Sequence, residues 1–126
     1  MMRLLAVALL AASPALAGDP AAGEVAFRIC GACHRVGPDA RNVVGPQLNG
    51  LIGRKAGTAE GFSYSIAMKS SPIVWDEALL LTYLRSPREA IPGTKMTFAG
   101  VKDEAKASDI VAYLATFRAD GSRIEP

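Results

Sequence analysis

The chain has 126 residues, enough for one domain, and its 14 basic residues, 12 acidic residues and single histidine give a formal net charge of +2. This near balance, without a run of basic residues interleaved with aromatic ones, argues against a nucleic-acid-binding protein. Half of the residues are hydrophobic, but the apolar N-terminus inflates that share, and the rest of the chain has an ordinary globular composition.

Residues 1–17 have the pattern of a secretory signal peptide. Arg3 supplies the positive start, residues 4–12 are apolar, and Ala15-Leu16-Ala17 is a typical cleavage site. The apolar stretch is shorter than the about 20 residues that a membrane-spanning helix needs. We therefore expect cleavage after Ala17 and export to the periplasm, with one domain over residues 18–126 that is not integral to the membrane. An uncleaved anchor is the alternative.

The first predicted helix begins at Asp19-Pro20, where a capping carboxylate precedes a proline at the first helical position. We expect it to continue through Ile29 into Cys30-Gly31-Ala32-Cys33-His34. Cys-x-x-Cys-His is the attachment signature of c-type haem, because two thiols can form thioethers and the adjacent imidazole can bind iron. The chain holds one histidine and two cysteines, all within this motif.

The cysteine pair has two other interpretations, a disulfide and a thioredoxin-like redox site. Export would favour a disulfide, and Cys-x-x-Cys alone occurs in thioredoxin-like redox sites. A thioredoxin-like site needs a neighbouring strand–helix–strand pattern, which is not visible here. His34 directly after Cys33 is what haem attachment requires, so we interpret the motif as a haem site.

Residues 35–61 are rich in glycine, proline and asparagine and show no helical or strand periodicity. Such a long irregular loop is unusual in a small domain unless something bulky packs against it. A bound cofactor would satisfy that requirement.

Three further helices are predicted. A short one covers residues 63–68. Asp76 caps the next, in which Leu79, Leu80, Tyr83 and Leu84 recur at helical spacing before Pro87 ends it. Asp103 opens the last, which should run to about Arg118 with Ala107, Ile110, Val111, Leu114 and Phe117 on one face. Since no segment alternates as a strand, we predict an all-α single domain with long loops and the cofactor in its core.

Further segments follow the haem motif in a fixed order. They are Gly45-Pro46-Gln47-Leu48, Gly53-Arg54-Lys55, Gly61-Phe62-Ser63-Tyr64, Trp75, Tyr83, Ile91-Pro92-Gly93-Thr94-Lys95-Met96 and Phe98-Ala99-Gly100. With these segments, the chain from Gly23 to about Phe117 resembles class I cytochrome c, in its mitochondrial-like, c2-type form. The resemblance implies three main helices, with short ones and long loops around one covalent haem.

The resemblance also implies ligands. His34 corresponds to the proximal iron ligand and Met96 to the distal one, with Met68 as the only rival methionine in the mature chain. Both axial positions are then filled, which favours one-electron transfer over catalysis, so no catalytic residues are expected. Pro46 corresponds to the residue whose carbonyl accepts the other N–H of His34.

Other matched positions surround the haem in the family. Arg54, Tyr64 and Trp75 correspond to residues that bind or shield the propionates, Thr94 to a hydroxyl donor to the inner propionate, and Tyr83 to a residue near the distal methionine. Gly23, Phe27, Ile110 and Tyr113 correspond to the crossing of the first and last helices.

The chain departs from the family pattern in two places. Met68 occupies a position where many relatives have asparagine, which predicts an altered potential or an altered Met96–iron bond. Mitochondrial relatives carry lysines around the exposed haem edge that steer acidic partners. Here Ile29 replaces a basic residue, and Asp103 and Glu104 follow Lys102, so fewer basic residues are expected at that edge. The basic candidates left are Lys69, Lys95 and Lys102, with Arg28, Arg35 and Lys55.

The expected function is electron transfer by a monomeric periplasmic carrier. By resemblance, the donor is a quinol:cytochrome c reductase and the acceptor is an oxidase or a photosynthetic reaction centre. The alternatives are a haem c enzyme or sensor with a labile sixth ligand, a haem c subunit docked to one dehydrogenase and, last, a haem-free thiol oxidoreductase.

Overall fold

The computed structural model describes residues 18–124, so the predicted signal peptide, residues 1–17, lies outside it. Five helices follow in order: α1 (Pro20–Ala26), α2 (Ile66–Lys69), α3 (Glu77–Arg85), α4 (Pro87–Ala90) and α5 (Glu104–Leu114). A single 3-10 turn, Phe27–Ile29, continues α1 toward the cysteines. Within the described residues there is no sheet, only isolated bridges such as Lys55 with Val74. The all-α prediction with three main helices is confirmed.

Aspartates begin the three main helices, as predicted. The carboxylate of Asp19 accepts the Ala21 N–H at 3.0 Å. Asp76 caps α3 through the Leu79 N–H at 2.7 Å, and Asp103 caps α5 through the Lys106 N–H. Each carboxylate satisfies an N–H that has no partner within its helix.

The first and last helices cross in close contact. Gly23 is buried at the crossing, and a Cβ there would collide with the carbonyl of Asp109 and approach Tyr113 Cβ at 2.8 Å. The rings of Phe27 and Tyr113 pack at 5.5 Å between centroids, and Ile110 is fully buried beneath them. The predicted crossing is confirmed, and it fixes α1 so that the 3-10 turn delivers the cysteines to the interior.

Three helix predictions need correction, and one short helix was not predicted. The short helix begins at Ile66, with Ser65 as its cap, rather than at residue 63. Pro87 does end α3, but it also starts the unpredicted α4, because proline fits the first helical position. The last helix ends at Leu114 instead of near Arg118, since the chain turns back and Phe117 pairs with Arg123. Leu79 is 39 % exposed and does not join Leu80, Tyr83 and Leu84 in the core.

The remaining chain, chiefly residues 30–65 and 91–103, forms loops that pack against these helices. Leu48, Leu51, Ile91 and Val101 from these loops join the apolar core. No helix between residues 18 and 124 has the length and apolar character needed to cross a membrane. The loops enclose a cleft in the centre of the domain.

Candidate functional site

Two adjoining cavities occupy this cleft, an outer one of about 460 Å³ and an inner one of about 90 Å³. They share Cys30, His34, Met68 and Met96 in their walls, together with two tyrosines. The outer volume lies in the range of about 300–1,000 Å³ typical of cofactor sites. All ten residues predicted for the site line one cavity or the other: Cys30, Cys33, His34, Pro46, Arg54, Tyr64, Trp75, Tyr83, Thr94 and Met96.

Cys30 and Cys33 lie on one helical turn that carries them from α1 to the cavity. The Cys33 N–H donates to the Cys30 carbonyl at 3.0 Å, and the His34 N–H donates to the same carbonyl at 2.9 Å. Both thiols are free and half-buried. Burial raises the pKa of the Cys30 thiol to about 11. A thiol with so high a pKa is a poor nucleophile at neutral pH, which argues against a thiol-exchange site.

The His34 imidazole is held by its backbone surroundings. Its Nδ1 lies 2.7 Å from the carbonyl oxygen of Pro46, and because a carbonyl only accepts, Nδ1 carries the proton. Nε2 is then the nitrogen with a free lone pair. Gly45 backs the ring so closely that any Cβ at that position would overlap it. Burial lowers the pKa of His34, with a smaller opposing effect of the Pro46 bond, so the neutral, metal-binding form is favoured.

Met96 lies in a loop with several ties to the rest of the domain. The Thr94 N–H donates to the Ile91 carbonyl at 3.1 Å, which closes the turn through Pro92-Gly93. The Thr94 hydroxyl lies 2.9 Å from that of Tyr83 and accepts the Met96 N–H at 3.3 Å. Lys95 Nζ donates to the Ser63 carbonyl at 2.8 Å. We call residues 91–98 the methionine loop.

Three polar or aromatic side chains meet at the inner cavity. Arg54 is partly buried, and its guanidinium donates to the Asn49 carbonyl at 3.3 Å. Burial lowers the pKa of Arg54. The Tyr64 hydroxyl accepts the Ala59 N–H at 2.9 Å, and buried Trp75 packs on Tyr83 with ring centroids 5.1 Å apart. The arrangement places a cation beside an apolar cleft, where an acidic ligand group could be paired.

The cavity mouth is mainly apolar. Ile29 and Val44 line it and are 50 % and 74 % exposed, and Phe98 lies beside them. Lys95 is the lysine that lines the same cavity. The other basic candidates from the sequence are exposed: Arg28, Arg35, Lys55, Lys69 and Lys102.

Several contributors to the site were not predicted. The sequence did not indicate the link between Lys95 and Ser63, because 32 residues separate them. Nor did it single out Asn42, whose side chain bonds the backbone of Gln47 and of Glu60. Val44 directly precedes the predicted Gly45-Pro46 segment, and its exposure beside a binding cleft follows only from the fold.

The residues present fit a haem c group. Two free thiols, a neutral imidazole with one available nitrogen and a thioether share one apolar cavity of sufficient volume. A cation lies at the inner end, where carboxylates of such a group need a partner. Soft sulfur and imidazole donors are those that suit haem iron.

Comparison with known proteins identifies the family. No protein-family model matches the chain. Cytochrome c2 from Blastochloris viridis is 57 % identical over 111 residues, which cover 88 % of this chain and 87 % of that protein. Cytochrome c2 from Rhodoblastus acidophilus is 55 % identical over 107 residues, 85 % of this chain and 100 % of that protein.

Solved structures agree. Cytochrome cH from Methylobacterium extorquens superposes with a TM-score of 0.74 at 49 % identity, covering 79 % of this chain and 99 % of its own. Cytochrome c2 from Rhodospirillum centenum gives a TM-score of 0.75 at 43 % identity, covering 80 % of this chain and 99 % of its own. With the haem motif, the cavity and the helical fold in agreement, the chain belongs to the class I c-type cytochromes, electron-transfer proteins that carry covalent haem c.

Proposed function

We propose that this chain is a periplasmic carrier of single electrons, whose haem c is attached through Cys30 and Cys33 and whose iron is bound by His34 and Met96. The observation that carries the proposal is the shared cavity, in which the two thiols, the imidazole and the thioether all line one wall or another. Cys30, Cys33 and His34 come from one short motif, whereas Met96 lies 62 residues beyond His34, so the meeting of the thioether with the other three groups is a property of the fold.

The proximal side is built to hold the imidazole in one state. The Pro46 carbonyl keeps the proton on Nδ1, and Gly45 leaves room for the ring in a single orientation. An N–H that donates to a carbonyl also makes the imidazole a stronger electron donor. His34 is thus prepared as a permanent ligand through Nε2.

The distal side is built to keep the thioether in place. Thr94 accepts the Met96 N–H, Tyr83 holds Thr94, and Lys95 fastens the same loop to Ser63. If Thr94 accepts both of these bonds, its own proton remains free for a propionate, as its predicted role requires. A methionine held in this way leaves no open position for peroxide or a gas.

Bound haem c would supply a one-electron couple between ferric and ferrous iron, with a potential raised by thioether ligation. The chain's own residues exclude water, pair the charges and keep both ligands bound. No bond needs to be made or broken, and no catalytic residue is therefore proposed. The partly open mouth at Ile29, Val44 and Phe98 provides the place where a partner can approach.

We infer redox proteins as partners: a quinol:cytochrome c reductase as donor, and an oxidase or a photosynthetic reaction centre as acceptor. The protein is proposed to act as a monomer. Export rests on the signal-peptide pattern of residues 1–17. Mass determination of periplasmic protein should give the mass of residues 18–126 plus one haem; retention of residues 1–17 would contradict the localisation.

A ligand test decides between a carrier and a haem enzyme or sensor. The ferric protein should show the iron–thioether absorption band, and the ferrous protein should bind carbon monoxide slowly and weakly. Met96→Ala should abolish the band, lower the potential and bind carbon monoxide readily, whereas Met68→Leu should retain the band. A wild-type protein without the band, or with rapid carbon monoxide binding, would overturn the carrier proposal.

A further inference from the structure

The peptide unit between Pro46 and Gln47 is bonded at both ends. Its carbonyl oxygen accepts from His34 Nδ1 at 2.7 Å. Its N–H, on Gln47, donates to Asn42 Oδ1 at 2.9 Å. Because a peptide is planar, the direction of the carbonyl is fixed as soon as the N–H is fixed. The bond to His34 therefore depends on where Asn42 holds the other end of the plane.

Asn42 is itself anchored. Its Nδ2 donates to the Glu60 carbonyl at 2.8 Å, across 18 residues of sequence. Since one partner is a donor and the other an acceptor, only one orientation of the amide satisfies both. The side chain is half-buried, and it joins the loop before Gly45 to the loop that leads into Tyr64.

We propose that Asn42 is a positioning residue for the His34 ligand, acting through the Pro46–Gln47 peptide. It holds the plane of that peptide and, by accepting its N–H, increases the negative charge on the Pro46 carbonyl oxygen. Bonds in such a chain strengthen one another. A stronger acceptor on Nδ1 makes the imidazole a better donor to a metal at Nε2. The inference rests on the proposed ligation by His34.

Removal of the Asn42 side chain should then raise the reduction potential of the haem. A weaker donor at Nε2 stabilises ferric iron less, so the potential rises. Simple loosening of the fold acts in the opposite direction, because water admitted to the site favours the more highly charged ferric state. The sign therefore separates positioning from general destabilisation.

A matched control is available in the same region. The buried side chain of Asn49 also makes two bonds, accepting the Gly37 N–H at 2.9 Å and donating to the Gly37 carbonyl at 2.8 Å. Neither bond involves the Pro46–Gln47 peptide. Asn49→Leu thus removes as many bonds as Asn42→Leu, and in both variants the side-chain volume is nearly kept.

The experiment uses the haem-loaded protein. Because His34 is the only histidine, labelling with [15N]histidine marks one imidazole, and NMR of the reduced form reports exchange of its Nδ1–H. We compare the two variants under conditions in which their free energies of unfolding are equal. Asn42→Leu should then speed this exchange at least tenfold relative to Asn49→Leu. The potential should rise by a threefold change in the redox equilibrium, about 28 mV at 59 mV per tenfold.

Asn42→Asp keeps an acceptor for the Gln47 N–H but replaces the donor to the Glu60 carbonyl by a second carboxylate oxygen, so its exchange should lie closer to the wild type than that of Asn42→Leu, within about threefold of the wild type. Asn42→Ala replaces the leucine variant if that fails to fold. Equal exchange rates in Asn42→Leu and Asn49→Leu would overturn the inference. So would an unchanged or lowered potential in Asn42→Leu. A wild type without His34 ligation would instead overturn the proposed function.

Discussion

The hydroxyl oxygens of Tyr83 and Thr94 lie 2.9 Å apart, and this pair connects the core helix α3 to the methionine loop. Tyr83 is buried and packs on Trp75, so the helix offers the loop a fixed point. Thr94 passes the connection on by accepting the Met96 N–H. The position of the proposed distal ligand is thus tied to the core by two successive hydrogen bonds.

Tyr83→Phe should weaken this tie without changing the packing of the ring. A hydrogen bond of this kind contributes about 1 kcal/mol. We expect exogenous imidazole to displace Met96 from ferric iron with an affinity about fivefold higher than in the wild type. A titration of the ferric protein with imidazole, monitored by the loss of the iron–thioether absorption band, measures this affinity. Tyr113→Phe removes a hydroxyl from the α1–α5 crossing instead and should leave the affinity unchanged; an equal effect in both variants would contradict the role of Tyr83.

The same tyrosine should make stability fall at high pH. Burial raises the pKa of Tyr83 above its ordinary value of 10, with a smaller opposing effect of the Thr94 bond. The folded state therefore holds this proton more tightly than the unfolded chain. Its contribution is complete below pH 10 and is lost as pH rises toward the folded pKa, with a slope of up to about 1.4 kcal/mol per pH unit.

Denaturant unfolding of wild type and Tyr83→Phe between pH 8 and 11 checks this. The difference in unfolding free energy between the two proteins should shrink above pH 10, because phenylalanine has no proton to lose. A difference that stays constant over this range would show that unfolding does not change the pKa of Tyr83.

The parts of the molecule that the sequence predicted best depend on local interactions. Asp19, Asp76 and Asp103 cap their helices because a cap involves residues two or three positions apart. Helical spacing likewise indicated the buried stripe of α3, but not its width, and for this reason Leu79 was misplaced. The predicted end of α5 was wrong because the chain turns back after Leu114 and Phe117 pairs with Arg123, a turn that helical periodicity does not indicate.

The candidate site divides in the same way. The haem motif and the family resemblance predicted ten site residues, and all ten line one or the other of the two cavities. The supports of those residues were missed. Asn42 and Lys95 act through backbone carbonyls of distant loops, at Glu60 and Ser63, and any residue type can offer a carbonyl. No side-chain pattern in the sequence marks such an acceptor.

Met68 should tune the potential. It lines both cavities with Met96 and Tyr83, at a position where the resemblance implies asparagine in many relatives. Met68→Asn places an amide dipole in the distal cavity, and a polar site favours the more highly charged ferric state. We expect the potential to fall by a threefold to tenfold change in equilibrium, about 30–60 mV. Met68→Leu, which stays apolar, serves as the control.

A redox titration of the three proteins measures this shift, and the thioether band reports whether Met96 remains bound. Equal potentials in wild type and Met68→Asn, with the band unchanged, would mean that Met68 only fills space. An equal fall in Met68→Leu would attribute the effect to altered packing instead of polarity.

Lys95 should contribute to electrostatic steering of a partner. It lines the open cavity beside Ile29 and Phe98. Charges at such a mouth act over about 30 Å at 0.01 M salt but only about 8 Å at 0.15 M. Electron transfer to a cytochrome c oxidase should therefore slow as salt rises. Lys95→Gln should lower the low-salt rate by about twofold to fivefold and flatten the salt dependence.

Arg88→Gln is the control for this experiment, since Arg88 lies on α4 outside the lining of both cavities. Stopped-flow traces at several salt concentrations give the rates. A wild-type rate that does not vary with salt would favour apolar docking around Ile29, Phe98 and Ala99. Equal slopes for the Lys95 and Arg88 variants would remove Lys95 from the docking surface.

Gly23 should be essential to the crossing that delivers the haem motif. Helix propensity alone predicts that Gly23→Ala stabilises the protein, because alanine is favoured over glycine by about 1 kcal/mol. The structure predicts the opposite, since the new methyl group would collide with the Asp109 carbonyl on α5. Overpacking of this kind destabilises by about 1–3 kcal/mol, and here the obstacle is backbone that cannot rotate away.

Ala22→Gly, at an exposed position of the same helix, tests propensity without the collision and should destabilise by about 1 kcal/mol. Denaturant unfolding of the haem-loaded proteins measures both values. If helix packing governs the crossing, Gly23→Ala loses more stability than Ala22→Gly. A gain in Gly23→Ala would mean that α1 and α5 can separate without loss, and that the turn carrying Cys30 and Cys33 is positioned by the haem rather than by the crossing.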